Sequence, residues 1–264
     1  NFIKMEIEAY TKKMKEINAA ILSYIEVDDD DNEEFQSLIE IFHKYDILKN
    51  KEETQPIFQL ISRIANNHHR KSNFFQKIEK IFQYLIKEKP SPVLDFITNY
   101  KEYNKPTLLL LLEKGYLKPD DTFHKEYLKS KANFLKETFS KKNFNKTQFY
   151  YYLYPGMKQY IDDSKRKQIE KEISQNFQED ISTFEKKCHL GENDSYICTL
   201  IRQDSVEEFI SYINRMNLPL STQIKPSIYE TNSFLIDKEP TLIEYAAFYG
   251  SIQIIQYLKY SKVP

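Results

Sequence analysis

The stretch "TLIEYAAFYGSIQIIQYL", residues 241–258, decides how the rest of this sequence is read. Thr241 is placed to cap a helix whose core position is Ile243. Ala246 and Ala247 are small enough to let two helices approach closely, and Gly250 falls where the turn between them needs positive φ. After the turn, Ile252, Ile255 and Leu258 recur at helical spacing and predict the buried stripe of a second helix. A helical pair this short cannot fold alone, so the pattern predicts stacking on a similar neighbour.

Such a neighbour lies 46 positions upstream: "SYICTLIRQDSVEEFISYI", residues 195–213, aligns without a gap. Ile197 matches Ile243, Leu200 and Ile201 match the two alanines, and Asp204 matches Gly250. Val206, Phe209 and Tyr212 match the apolar stripe. These spacings fit the ankyrin unit, whose first helix carries T-P-L-H-x-A, with Leu242 in place of the proline and Glu244 in place of the histidine. Ankyrin units run about 33 residues, so roughly 13 extra residues are expected in the link "NLPLSTQIKPSIYETNSFLIDKEP". Bulky residues in place of the alanines suit a terminal, capping repeat.

Helical periodicity also dominates upstream, and hairpin-turn signals are nearly absent. Ile3, Ile7, Tyr10, Met14, Ile17, Ile21 and Ile25 predict one long amphipathic helix, and a second runs to about Leu48. Two helical pairs with short connections follow, with Ser72 as an N-cap, Pro92 and Pro106 in first turns, and Gly115 as a C-cap. Residues 164–187 predict a long, charged helix with Ile169, Ile173, Phe177, Ile181 and Phe184 on its packed side. The expected fold is all-α: a helical-pair solenoid ending in ankyrin repeats, with a helical domain over 1–190 and the repeats over 191–264.

Composition narrows the function classes. A charge of -1, from 38 Lys+Arg against 39 Asp+Glu, gives no electrostatic case for nucleic acid or an anionic membrane. Four scattered glycines cannot build a phosphate-cradling loop. Two cysteines favour a reducing compartment, hence a cytoplasmic expectation, and no apolar run is long enough to cross a membrane.

Three stretches carry the resemblance of the chain to a known family: "NNHHRKSNFFQKIEKI", "GENDSYICTLIRQDSVEEFISYIN" and "IKPSIYETNSFLIDKEPTLIEYAAFYGSIQI". They are similar to the ankyrin-repeat proteins of trichomonad protists, in which a helical domain of unknown function precedes a longer repeat array. The resemblance covers roughly residues 30 to 260. It implies a cytoplasmic, multi-helical protein that binds other proteins, and it implies no catalytic residues. Because such arrays continue, the stretch 241–258 is expected to be the first regular repeat of a longer array.

No residue cluster in the sequence predicts catalysis. His68, His69 and Arg70 sit together at a turn without a zinc-like partner set, and they read as a polar connection. Cys188 and His189 would point apart on a helix, and Cys198 reads as a structural thiol. The acidic run Asp28 to Glu34 lacks the calcium-loop pattern and suits a helix N-terminus. No cofactor, metal, membrane insertion, nucleic acid or small-molecule substrate is expected. The expected function is a non-enzymatic interaction module or scaffold; the alternative is a structural protein on a cytoskeletal filament or large assembly. Its expected partner face is Tyr245, Phe248 and Tyr249, with Thr199, Arg202 and Gln203 from the preceding unit. Tyr150, Tyr151 and Tyr152, in the aromatic run "QFYYYLYPG", stand as either core or a second contact.

Overall fold

The computed structural model describes residues 2–27, 32–49, 51–67, 73–88, 105–119 and 151–261. Those residues are all-α, with one isolated bridge, Gln223 to Thr241, and no strand. The chain divides into two compact units, Asn1–Lys118 and Pro119–Pro264.

The first unit contains α1 (Phe2–Glu26), α2 (Asn32–Lys44), α3 (Lys51–Asn67), α4 (Phe74–Glu88) and α5 (Lys105–Glu113). The last part of α1 packs on α2 and α4, and α3 packs on α4 and α5. Ile17, Ile21 and Ile25 of α1 are buried with Leu38, Phe42, Ile78, Ile81 and Phe82, as an apolar stripe at helical spacing requires. Lys77 is also buried. Its Nζ donates to the carbonyls of Tyr24 (2.9 Å) and Val27 (2.5 Å), so an ammonium from α4 closes the electronegative C-terminal end of α1. The stripe of α1 is not packed throughout its length: residues 4–12 are exposed, including Ile7 and Tyr10. Gly115, at φ 69, ends α5 as expected, and Pro106 lies in its first turn. Ser72, Pro92, the His68–Arg70 cluster and Asp28 to Asp31 lie outside the described residues; Glu33 and Glu34 occupy the first turn of α2.

The second unit contains α6 (Tyr154–Met157), a 3-10 turn (Lys158–Tyr160), α7 (Asp163–Phe177) and α8 (Ile181–Leu190). It continues with α9 (Tyr196–Arg202), α10 (Val206–Met216), α11 (Ser233–Lys238), α12 (Leu242–Tyr249) and α13 (Ile252–Tyr260). The single charged helix expected over 164–187 is two helices. Gln178 turns to φ 55, and the Asp180 carboxylate accepts the Thr183 N–H at 2.9 Å, so a side-chain cap starts α8 where a continuous helix would have run through. The one-sided burial holds across the break: Ile169, Ile173 and Phe184 are buried, and Phe177 and Ile181 are half-buried.

Two helical hairpins, α9–α10 and α12–α13, lie side by side, with α9 against α12 and α10 against α13. Their shared core comprises Cys198, Leu200, Ile201, Phe209, Ile213, Leu242, Tyr245, Ala246, Ile254 and Leu258. The buried stripes differ from those expected. In α13 it is Ile254 and Leu258 that are fully buried, while Ile255 is half-buried and Ile252, first in the helix and on the outside of the turn, is 58% exposed. In α10 the buried pair is Phe209 and Ile213, with Val206 and Tyr212 half-buried. Ala246 is buried, but Ala247 is exposed, whereas its counterpart Ile201 is covered.

Candidate functional site

The candidate site is the face made by α9 and α12, the first helices of the two hairpins. Each starts at a defined place. Thr241 and Glu244 form a reciprocal capping box: the Glu244 N–H donates to Thr241 Oγ1 at 3.4 Å, and the Thr241 N–H donates to Glu244 at 2.8 Å. The Thr241 N–H, followed by the Thr241 hydroxyl donating at 2.9 Å, holds the Glu244 carboxyl below its ordinary range. The link between the hairpins is tied to the same end of α12, through Ile224 N–H to Pro240 O (2.8 Å) and Leu242 N–H to Thr222 O (3.2 Å).

The hairpin turns repeat two backbone bonds at matching positions. Ser205 N–H donates to Leu200 O at 3.1 Å, and Ser251 N–H, 46 positions later, donates to Ala246 O at 2.9 Å. Asp204 N–H reaches Ile201 O at 3.0 Å, and Gly250 N–H reaches Ala247 O at 3.3 Å. Both turn residues are left-handed, Asp204 at φ 51 and Gly250 at φ 70, a region that costs glycine little and that Asp tolerates better than most residues. Asp204 also acts across the pair. Its carboxylate accepts the N–H groups of Gln253 and Ile254, each at 3.0 Å, and so caps α13 of the neighbouring hairpin. Ser251 Oγ returns the link by donating to Ile201 O at 2.5 Å.

Between the first helices Arg202 is fully engaged. Its Nη1 donates to Asn193 O and to Tyr245 Oη, both at 2.8 Å, and Nη2 donates to Thr199 Oγ1 at 3.2 Å. Its Nε lies 3.0 Å from the Glu192 carboxylate, and its guanidinium lies 5.9 Å from the centre of the Tyr249 ring. Arginine suits this position because its planar fork can serve several acceptors at once. Below it, the buried Glu230 carboxylate accepts the N–H groups of Asn193 (3.2 Å), Thr231 and Asn232 (both 2.9 Å), fastening the link to the start of the first hairpin.

The expected partner face is therefore only partly available. Tyr245 is completely buried, a correction to its expected solvent-facing place; burial, followed by the nearby Cys198 and Tyr249, pushes its phenol far above the ordinary value. Tyr245 falls inside because Arg202 satisfies its hydroxyl while its ring packs at 4.9 Å from Tyr249. Arg202 is spent on internal partners. Gln203 is exposed, and Thr199, Phe248 and Tyr249 are half-buried. Phe234, from the link, joins them unexpectedly: it stacks on Phe248 at 5.9 Å and is 45% exposed. Only the apolar run at 234–236 marked it in the sequence, and nothing there indicated that the link folds back over α12.

Tyr151 and Tyr152 are core residues and not a contact surface, each 1% exposed, while Tyr150 lies outside the described residues. Tyr152 Oη donates to Cys188 O at 2.8 Å, and Tyr154 Oη donates to Glu170 at 2.6 Å. Burial, then the Glu172 charge, pushes Tyr151 up to about 12. Both cysteines are buried, and burial pushes the Cys198 thiol up to about 11, which leaves little thiolate near neutral pH. Among the described residues no three His, Cys, Asp or Glu side chains converge to hold a metal ion, and no helix is long and apolar enough to cross a membrane. No family model matches the chain, and no curated protein or solved structure matches it either.

Proposed function

We propose that residues 191–264 form an ankyrin-type stack and that the chain is a non-enzymatic protein–protein interaction module of helical-pair solenoid architecture. The observation supporting this most is the 46-residue repetition of the hairpin turn, with two matching backbone bonds and a left-handed residue at the same position of each copy, Asp204 and Gly250. Stacked repeats gain stability from neighbours, and the bonds of Asp204 and Ser251 across the pair are neighbour bonds of that kind. The resemblance to the trichomonad proteins implies the same role. The partner face in this reading is Gln203, Thr199, Phe248 and Tyr249, extended by Phe234. Aromatic rings held in place by a rigid scaffold anchor interfaces at small entropic cost.

The test compares the wild-type chain with Gln203→Ala/Phe248→Ala and with Lys186→Ala, an exposed control on α8, in cross-linked pull-downs. Proteins captured by the wild type and the control should be lost from the double variant. If the three chains capture identical sets while circular dichroism shows them equally folded, the assignment of this face is wrong.

A further inference from the structure

We propose that residues 151–190 and the two hairpins are joined by a polar latch across a hinge at Gly191, and that its release swings them apart as folded bodies. Each body carries its own core. In the first, Ile169, Ile173 and Phe184 are buried with Tyr151 and Tyr152, and the Phe177 ring meets Tyr151 at 5.4 Å and Phe184 at 5.3 Å. The core shared by the hairpins takes none of its described side chains from 151–190. None of α6, α7 and α8 packs along a hairpin helix as α9 packs along α12. Between the bodies α8 ends at Gly191, left-handed at φ 63, and α9 begins at Tyr196. A few residues between helices are enough to absorb a hinge motion.

The latch is a closed circuit of hydrogen bonds. Within the first body Lys187 Nζ donates to Glu179. Across the hinge, Lys187 Nζ donates to Asp194 at 2.9 Å, and Tyr229 Oη donates to Glu179 at 3.0 Å. On the hairpin side Ser227 Oγ donates to Asp194 at 2.8 Å and accepts the Tyr229 N–H at 3.2 Å. Ser227 and Tyr229 stay with the hairpins because their neighbours Lys225 and Glu230 are both bonded to Asn193, whose own carbonyl is held by Arg202 of α9. Lys187 is the one cation of the circuit and is bonded to a carboxylate from each body. Burial works against its charge, and the hydrogen bonds to Glu179 and Asp194 outweigh burial, so its pKa lies above the ordinary value. Without that charge the two carboxylates repel each other across the hinge, and attraction turns to repulsion. The Lys187, Glu179 and Asp194 side chains are 28%, 16% and 31% exposed, so water is at hand to replace their bonds on opening. The aromatic contact across the joint is the Tyr229 ring, 5.5 Å from Phe184. A joint of this make-up opens at a lower free energy than the packed core on either side of it.

Two native thiols report on the two bodies. Cys188 follows Phe184 by one helical turn, on the face of α8 that meets Tyr229, and Cys198 lies in the hairpin core; both are completely buried. Labelling the folded chain with a maleimide and weighing the peptides by mass spectrometry reads each opening separately. Cys188 should label faster than Cys198 and with a smaller urea dependence, because less surface is exposed when the latch opens than when the hairpins unfold. Lys187→Met should speed Cys188 about 10–100-fold, the worth of hydrogen bonds to charged groups, and leave Cys198 unchanged. Asp194→Asn should act in the same direction, Lys187→Arg should stay near wild type, and Lys186→Met, at an exposed neighbour, should change nothing. Amide exchange within α8 should be alike in all of these chains, since the helix moves intact. Three results overturn the proposal: both thiols labelling at one rate with one urea slope; Lys187→Met speeding both alike or neither; or α8 amides exchanging faster along with Cys188, which marks fraying of the helix and not a hinge.

Discussion

Replacing Asp204 separates two effects that this one residue combines. Its backbone is left-handed, and its carboxylate caps the helix of the neighbouring hairpin through Gln253 and Ile254. Asp204→Ala removes both advantages. Hydrogen bonds to a charged group are worth about 1.5–3 kcal/mol, and alanine lacks the polar side chain that eases aspartate into the left-handed region, a penalty of up to about 1 kcal/mol, so the loss should be about 2–4 kcal/mol. Asp204→Gly relieves the backbone but still loses the cap, at about 1–2 kcal/mol. Asp204→Asn keeps an acceptor and tolerates the conformation, and should cost under about 1 kcal/mol. Gly250→Ala is the backbone control. An added Cβ there would meet nothing within 4 Å, so its expected loss of about 1 kcal/mol or more is conformational alone. At 2–4 °C per kcal/mol for a domain of this size, Asp204→Ala should lower Tm by roughly 4–16 °C. Amide exchange resolved at Gln253 and Ile254 should speed up in the Ala and Gly variants and hardly in Asn. Equal losses for Asn and Ala, or a Gly variant as stable as wild type, would refute the cap as the source.

Two further perturbations follow from single contacts. Lys77→Met keeps the bulk of the buried side chain but deprives the Tyr24 and Val27 carbonyls of their ammonium, and should cost about 1–3 kcal/mol, read as faster exchange at the last turn of α1; a stabilised variant would mean that desolvating the lysine outweighs its capping. Thr241→Ala should cost about 1 kcal/mol and loosen the start of α12. Because the Glu244 pKa is lowered in the folded state, the stability it adds is present above its unfolded value near 4.5 and is lost as pH falls through the folded one; an acid titration of Glu244→Gln should therefore lack the part of the wild-type decline seen in that window.

The all-α class and the positions of the two hairpins were legible because short helices leave strong local marks. Thr241, Glu244 and Gly250 each have a backbone task that few residue types perform, so local spacing was enough. The matching of Asp204 to Gly250 rested on the gapless 46-residue register alone, and both residues turn out left-handed. Side-chain direction was harder. Tyr245 lies in a helix whose ends were read correctly, but its inward place depends on Arg202, from a helix 43 positions away. The division between α7 and α8 was visible in principle, since Asp180 followed by Thr183 is a cap pattern. Periodic apolar residues on both sides of the break obscured it. Phe234 was out of reach because the link folds by long-range bonds such as Thr231 Oγ1 to Gly191 O, at 2.9 Å, which no local pattern encodes.

The bonds between the hairpins determine how the rings on the α9–α12 face are held. Asp204 belongs to the first turn but caps the second hairpin's helix; Ser251 belongs to the second turn but bonds the carbonyl of Ile201 in the first. Arg202 of α9 holds Tyr245 of α12, and Tyr245 in turn packs on Tyr249. Phe248, next along the helix, meets Tyr249 at 5.0 Å and is stacked on its other side by Phe234. Each half-exposed ring is thus held by residues from at least one other element, and none depends on its own helix alone. A partner meeting this face would encounter rings already oriented, so the ordering cost is met in folding and not in binding. The same coupling makes the face vulnerable from behind. Any change that loosens one hairpin, such as loss of the Asp204 cap, moves the rings carried by the other, although Asp204 itself need touch no partner.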